Sequence, residues 1–127
     1  VRRALLTPAH INESSMADAL VCGDEKAVYA DRAYESKTRR RALRARGIKD
    51  RIMHRSHKHQ RALPHWQTVR NRLIASRRAA VEGVFGTLKR TYRRGRSRFC
   101  GLARTAADLI RILTVYNLRR ALALSLT

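Results

Sequence analysis

Acidic residues are scarce in this 127-residue chain: nine Asp and Glu stand against 29 Lys and Arg, which gives a formal net charge of +20. A compact domain with that charge repels itself unless polyanions are near, so we expect a nucleic-acid partner. Arg greatly outnumbers Lys, and Arg favours bidentate contacts to phosphate. A basic surface that is merely solvated is the alternative.

Cysteine is also rare, and long apolar runs are missing. Cys22 and Cys100 have no paired spacing, which indicates a reducing cytoplasm and argues against a disulfide framework. Arg111 and the pair Arg119 and Arg120 interrupt the longest apolar runs, so we predict no membrane span. No secretory signal opens the chain, and its first residue is Val1 rather than Met, which suggests a fragment, a processed chain or an alternative start.

The order of the predicted elements indicates an α/β fold, and the length suits a single domain over residues 1–127. We predict strands at 4–7, 27–30 and 48–53, a short helix near residues 14–20, and longer helices at 36–46, 67–93 and 105–124. The run 27–30 is apolar without alternation, as in strands buried on both faces. Strand, helix and strand from 27 to 53 make a βαβ unit, and we expect its crossover to be right-handed.

Two of the nine acids are candidates for chemistry. Asp31 follows a strand, and ligands gather beyond the carboxyl ends of strands in open α/β sheets. Glu82 is the single acid in a basic helical stretch. Either acid can instead be a simple ion-pair partner. Capping, solubility or surface ion pairs explain the other acids: Glu13, Asp18, Asp24, Glu25, Glu35, Asp50 and Asp108. Asp108 is predicted to lie at the start of a helix that Thr105 caps.

Paired, Asp31 and Glu82 have the chemistry of a divalent metal site. Mg²⁺ takes carboxylate oxygens, often one or two per ion, with substrate phosphate completing its shell. Two such ions, about 4 Å apart, stabilise the attacking and leaving oxygens of phosphoryl transfer. Arg78, Glu82 and Lys89 share one stripe of a helix, so both cations are placed to bind phosphates near the metals.

Histidine and tryptophan allow other readings. His54, His57 and His59 are closely spaced, but no cysteine joins them and many cations surround them, so a basic loop along DNA is preferred to a zinc site. Trp66, the one tryptophan, either stacks on a base or anchors the start of the long helix in the core. We favour the core.

The pattern Arg78-x3-Glu82-x6-Lys89 resembles the C-terminal part of the Tyr-Arg-Glu-Lys signature of bacterial insertion-sequence transposases of the DDE type. The signature's Tyr falls at Ala75, so that element is absent. Residues 28–34 resemble the strand that carries the second catalytic Asp, and residues 6–13 resemble the strand and turn leading to it. The resemblance covers nearly the whole chain and rests on the combination of these motifs.

That resemblance implies a ribonuclease-H-like fold in which Asp, Asp and Glu bind two Mg²⁺ (or Mn²⁺) ions. Asp31 takes the place of the second acid and Glu82 that of the third, as catalytic and metal-binding residues. The first Asp is expected upstream of Val1, because no acid precedes Glu13. Cations around Glu82 are the predicted contacts to DNA phosphates: Arg77, Arg78, Lys89, Arg90 and Arg93.

We therefore expect the C-terminal part of a transposase catalytic domain, mostly helical with a small parallel sheet and lacking the first strands. We expect this chain in the bacterial cytoplasm, at the nucleoid, where it binds transposon ends and target DNA. We also expect it to bind metal weakly and to be inactive alone. The expected partners are DNA and either a second copy of the chain or a full-length transposase. No association with a membrane is expected. The alternative is a non-enzymatic, basic nucleic-acid-binding remnant or regulator.

The implied strand order in such a sheet is 3-2-1-4-5. Residues 4–7 would be strand 3, residues 27–30 strand 4 and residues 48–53 strand 5. Strands 1 and 2 belong between strands 3 and 4, so we predict that strands 4 and 5 pair in parallel. The N-terminal strand is predicted to be displaced or poorly packed.

Overall fold

A computed structural model describes residues 1–93 and 96–126. Its helices and strands are α1 (Glu13–Met16), β1 (Ala27–Ala30), α2 (Lys37–Ala45), β2 (Lys49–Ile52), α3 (His65–Arg90) and α4 (Leu102–Ser125). The chain divides into a sheet unit, Glu13–Phe85, and an α4 unit, which joins Val1–Asn12 to Gly86–Thr127. The fold is α/β and mostly helical, with one small parallel sheet, as in part of a ribonuclease-H-like fold.

The βαβ prediction is confirmed in the sheet unit. Strands β1 and β2 pair in parallel, with Ala27 opposite Lys49 and Ala30 opposite Ile52. Helix α2 connects them, and local signals set both of its ends. The Ser36 hydroxyl accepts a hydrogen bond from the backbone N–H of Arg39. Gly47 ends the helix with a φ of 70°, a left-handed conformation that glycine adopts at little cost.

A small core lies between α2 and the sheet. Leu43 of α2, Ile48 and Ile52 are 3% exposed or less, and Val21, Val28, Ala30 and Tyr34 pack against them. Burying an isoleucine contributes about 1.5–3 kcal/mol relative to leaving it exposed. These three side chains hold the crossover helix against one face of the sheet.

Asp50 of β2 is the centre of a buried ion network. Its carboxylate accepts hydrogen bonds from Arg40 Nη1 at 2.7 Å, Arg44 Nε at 2.7 Å and Arg70 Nη2 at 2.9 Å. Arg40 also donates to the backbone oxygen of Ile52 at 3.0 Å. The network therefore joins α2, β2 and α3 around one carboxylate.

The electrostatic balance at Asp50 favours its charged form. Burial on its own raises the pKa of Asp50. Hydrogen bonds from Arg44 and Arg40, together with their positive charges, outweigh burial and hold the pKa below its ordinary value of 3.8. The prediction that Asp50 is a surface ion-pair partner is wrong, because its side chain is 5% exposed. Three arginines replace the water that the carboxylate loses.

Two predictions about strands are also wrong. Residues 4–7 form no strand. A strand needs a hydrogen-bonded neighbour, and the described part of the α4 unit, to which these residues belong, contains none. The second error concerns β1, which is not buried on both faces: Tyr29 is 44% exposed, because the sheet has only two strands and part of one face stays open.

Helices α3 and α4 extend close to their predicted limits. Helix α3 continues through Gly83 and Gly86, although each glycine costs about 1 kcal/mol relative to alanine. Helix α4 begins at Leu102, before the predicted cap, so the interpretation of Asp108 as a helix-start acid is wrong. Asp108 is instead buried and accepts a hydrogen bond from Arg111 at 2.8 Å. The predicted basic turn over 93–98 lies partly outside the described residues, at positions 94 and 95.

In the α4 unit, the side chain of Asn117 connects the N-terminal residue to α4. Asn117 accepts a hydrogen bond from the amino group of Val1 and donates one to its carbonyl oxygen. Among the described residues of this unit, Leu88 and Leu113 are the buried apolar ones. None of the helices in the described part of the chain has the length and hydropathy that crossing a bilayer requires. Cys22 and Cys100 are both free thiols.

The Asp50 network yields a prediction about stability. We expect Asp50→Asn to lower the free energy of unfolding by about 3–5 kcal/mol, because the neutral amide leaves the buried charge of Arg40 without its nearest counter-ion. Urea denaturation at neutral pH measures the difference. Asp18→Asn is the matched control, because Asp18 also pairs with an arginine, Arg39. The Asp18 side chain is 63% exposed, so we expect its loss of unfolding free energy to stay below about 1 kcal/mol. Equal losses in the two variants would contradict a special role for Asp50.

The same network predicts the pH dependence of that difference. Because the folded pKa of Asp50 is lowered, its stabilising contribution is fully present above the ordinary pKa of 3.8. The contribution is lost as the pH falls through the folded pKa. The gap in stability between the natural chain and Asp50→Asn is therefore expected to narrow only in acid, below about pH 4.

Candidate metal site and nucleic-acid interface

Asp31 occupies the position that the sequence predicts, directly after the carboxyl end of β1. One oxygen of its side chain accepts a hydrogen bond from the backbone N–H of Arg32 and so caps the 3₁₀ turn Arg32–Tyr34. The other oxygen lies 3.6 Å from Arg78 Nη1 of α3. Because the Asp31 side chain is 38% exposed, its carboxylate is still open to further ligands.

Four residues hold α3 in place within the sheet unit. Arg70 donates to Asp50, Asn71 contacts His54, Ile74 is buried, and Arg78 lies against Asp31. Their spacing of one, three and four positions places them on one face of the helix. This face fixes both the rotation of α3 and its position along its axis.

Glu82 lies one turn after Arg78 on the same helix and is exposed. Side chains four positions apart on a helix are neighbours, with their Cβ atoms about 5–6 Å apart. The contact between Arg78 and Asp31 places α3 beside the end of β1 one turn before Glu82. The structure places both predicted acids in the sheet unit, on elements that meet through Arg78.

The predicted cations divide between the two units. Arg77 and Arg78 belong to the sheet unit, where Arg77 is exposed and Arg78 is half-buried. Lys89 and Arg90 are exposed in the last turn of α3, in the part that belongs to the α4 unit. Arg93 follows with a φ of 51°, which a non-glycine residue adopts only occasionally.

A different set of side chains comes closest to a three-ligand metal cluster. Among residues 1–93 and 96–126, the group of three His, Cys, Asp or Glu side chains with ligand atoms close together is Cys22, Asp24 and Glu25. Glu25 already accepts hydrogen bonds from the backbone N–H groups of Gly23 and Cys22, which lower its pKa to about 2. These bonds are those of a tight turn. Within the described residues, Asp31 and Glu82 are not part of a three-ligand group.

His54 is held by α3 through its backbone. Its N–H donates to Asn71 Oδ1 at 2.8 Å, and its carbonyl accepts from Asn71 Nδ2 at 2.9 Å. Burial and the nearby charges of Arg40 and Arg70 lower the pKa of the imidazole, which favours the neutral ring. Asn71 thus fastens the loop after β2 to the helix that carries Glu82.

The structure also corrects the interpretation of Trp66. Its side chain is 59% exposed, so it is not a core anchor. Its ring meets the His54 ring edge to face, with centroids 5.3 Å apart. A tryptophan at the start of a helix allows either position, because only the packing of the loop before it decides what covers the ring. Asp50, Arg70 and the exposed Trp66 are the residues whose role the sequence did not reveal.

Comparison with known proteins shows the class. The family model that matches is described as the transposase DDE domain, and the match covers residues 1–118. The chain therefore belongs to the DDE transposase domain family, as its motifs predict.

A curated relative is the transposase for insertion sequence element IS1106 of Neisseria meningitidis serogroup B, which is 36% identical over 105 residues. The aligned region is 81% of this chain and 36% of that relative, so the chain spans about a third of the relative's length. No solved structure matches the chain.

His54 predicts a second pH dependence, closer to neutrality. Because its folded pKa lies below the ordinary 6.5, its stabilising contribution is present above that pH and is lost as the pH falls below it. We expect the free energy of unfolding to decrease between about pH 7 and pH 5, by at most about 1.4 kcal/mol per pH unit for this one proton. Urea titrations across this range measure the slope.

The control for that slope is a pair of variants. His54→Gln is expected to flatten the dependence, whereas His59→Gln, in an exposed loop position, is expected to retain it. An unchanged slope in His54→Gln would contradict the assignment.

Proposed function

We propose that this chain supplies two metal-binding carboxylates and a DNA-contacting surface to a transposase that cleaves and joins DNA at insertion-sequence ends. The observation that carries the proposal is the ion pair between Asp31 and Arg78, which connects the strand-end acid to the helix of Glu82. Membership of the DDE transposase family supports the reaction class. The identity to an insertion-sequence transposase supports the DNA substrate.

The residues fit a hard divalent cation. Asp31 and Glu82 offer carboxylate oxygens, Asp31 is open to solvent, and Mg²⁺ usually takes one or two carboxylates together with phosphate oxygens. Asp31 and Glu82 would hold the ion, Mg²⁺ or Mn²⁺. When bound, such an ion polarises a phosphoryl oxygen and stabilises the charge that develops on it.

Arg78 has two roles in the proposal. Without DNA, its guanidinium lies beside Asp31, and at 3.6 Å between partly exposed groups this pair contributes less than about 1 kcal/mol. A cation or a phosphate can therefore displace it at small cost. Once displaced, Arg78 is free to donate two parallel hydrogen bonds to a DNA phosphate next to the carboxylates.

The other predicted cations are proposed as phosphate contacts that position DNA along α3 and after it. Arg77, Lys89 and Arg90 are exposed on α3, and Arg93 follows it. Contacts of this kind orient the duplex without reading its sequence. Because the proposed substrate is DNA, the proposed place of action is the bacterial nucleoid. We also propose that residues 1–127 form one domain. Association with a second copy or with a full-length transposase stays a prediction.

The chain alone is proposed to bind DNA without cleaving it. The resemblance to DDE transposases calls for three acids, and within the described residues no group of three ligands includes Asp31 or Glu82. The same observation favours a second candidate function, a DNA-binding regulator without catalysis. The two candidates differ in whether Asp31 and Glu82 bind metal in the presence of DNA.

Metal binding tests the roles of the two acids. In the presence of insertion-end DNA, we expect the chain to bind Mn²⁺, as measured by the loss of the free-ion EPR signal. Asp31→Asn and Glu82→Gln should each abolish that binding, because each removes one of two carboxylate ligands. Asp18→Asn, an exposed acid of the same unit, is the control and should bind normally.

Nicking of labelled ends with Mg²⁺ or Mn²⁺ is the companion assay, and no product is expected from this chain alone. Nicking that disappears in Asp31→Asn would show that the site is complete. Mn²⁺ binding that is unchanged in both Asp31→Asn and Glu82→Gln would favour the DNA-binding regulator.

The salt dependence of DNA binding tests the basic surface. The logarithm of the binding constant should fall linearly with the logarithm of salt concentration, with a slope of about −0.9 for each phosphate contacted. Arg77→Gln and Lys89→Gln should each make the slope shallower by about one unit. Lys26→Gln, an exposed cation outside α3, should leave it nearly unchanged. Binding that is equally strong at low and high salt would contradict the surface.

A further inference from the structure

A second surface of the sheet unit is lined by neither Asp31 nor Glu82. It is a groove of about 880 Å³, bounded by Tyr29 of β1, Arg51 of β2 and the first three turns of α3. Tyr29 and Arg51 are direct partners in the sheet, so one aromatic and one cationic side chain stand next to each other on its wall. The proposed metal site uses none of these residues.

The floor and edge of the groove are apolar and open. Trp66 and Leu73 are 59% and 67% exposed, and Tyr29 and Val69 are each 44% exposed. Scattered apolar residues are ordinary on a protein surface, but here four of them, two of them aromatic, line one groove. His54 meets the Trp66 ring edge to face, which restricts its orientation and leaves ring surface available.

The charge around the groove has one sign. Arg51, Arg70 and Arg77 line it, and no carboxylate does. Arg70 is committed to Asp50. Arg51 and Arg77 form no ion pair with a carboxylate in the part of the chain that the structure describes, so their charge is available to an anion. An occupant that is flat and apolar in one part and anionic in another complements this surface.

From this combination we propose that the groove binds an unpaired nucleotide, with its base on Trp66 and its phosphates at Arg51 and Arg77. The proposal rests on the DNA-binding function proposed above and names where one strand of the DNA is held. Bases stack on aromatic side chains without regard to sequence, and cations beside the ring hold the backbone.

The chemistry favours an unpaired nucleotide over a duplex or an apolar peptide. Inside a duplex both faces of each base are already covered by neighbouring bases, so away from the ends Trp66 gains a partner only where a base leaves the stack. An apolar peptide would cover the aromatic residues but would leave Arg51 and Arg77 without a counter-charge. Strand cleavage and joining produce unpaired ends, which are the nucleotides that this groove would hold.

Trp66 provides the measurement, because it is the only tryptophan of the chain. Its fluorescence is followed while the full chain is titrated with a single-stranded oligonucleotide and, separately, with the blunt duplex of the same sequence. Stacking is expected to quench the fluorescence strongly with the single strand and weakly with the duplex. A duplex with a short unpaired overhang should restore the strong quenching.

Variants give the affinity. By gel shift, Trp66→Ala is expected to weaken single-strand binding about tenfold while changing duplex binding less than twofold. Trp66→Phe keeps an aromatic face and should recover most of the loss, which separates stacking from a general effect on folding. Phe99→Ala removes an exposed aromatic residue of the α4 unit, outside the groove, and should bind like the natural chain.

The outcomes separate this inference from the function on which it rests. Binding of single strand and duplex with no change in Trp66 fluorescence overturns the groove assignment and leaves the DNA-binding proposal intact. Absence of DNA binding at any salt concentration overturns both. A Trp66 emission that shifts to the blue with protein concentration, without DNA, shows that a second copy covers the groove and also overturns the assignment.

Discussion

The structure depends on one buried carboxylate in a chain that is otherwise overwhelmingly cationic. Asp50 accepts hydrogen bonds from Arg40 and Arg44 of α2 and from Arg70 of α3, so a single side chain of β2 fixes three elements. Burying a lone charge is costly, but three charge-assisted hydrogen bonds replace the lost water and favour the ionised form. The network makes the positions of the crossover helix and of the long helix interdependent.

That constraint determines what the candidate metal site can be. Arg70 sets the start of an anchored face on α3 that continues through Asn71, Ile74 and Arg78. The next turn of α3 carries Glu82. The candidate ligand is therefore on the same helix as Arg70, which bonds to Asp50. Of the two proposed metal ligands, Glu82 is exposed and Asp31 is half-buried, whereas Asp50 and Arg40 at the centre of the network are buried. In our proposal, stability and metal binding are thus assigned to different acids of the same unit.

The scarcity of acidic residues explains how a structural ion network and a DNA-binding surface coexist in one chain. Nine acids cannot neutralise 29 Lys and Arg, and several acids are already bound to structural arginines, Asp18 to Arg39 and Asp50 to its three partners. Many of the other cations are exposed, and in our proposal a group of them contacts DNA. The same imbalance leaves Arg51 and Arg77 beside the aromatic groove, where nothing in the described residues competes for them. A polyanion is therefore a natural counter-charge for this surface.

The sequence by itself determined the βαβ unit and the places of Asp31 and Glu82, because caps, glycines and helical spacing act within a few residues: Ser36 and Gly47 set α2 as predicted. It also determined the family, since motifs are local. Only the tertiary structure decided that Asp50 is buried, that Trp66 is exposed and that residues 4–7 form no strand. Each of these depends on which distant residue packs against it, and no local pattern encodes that partner.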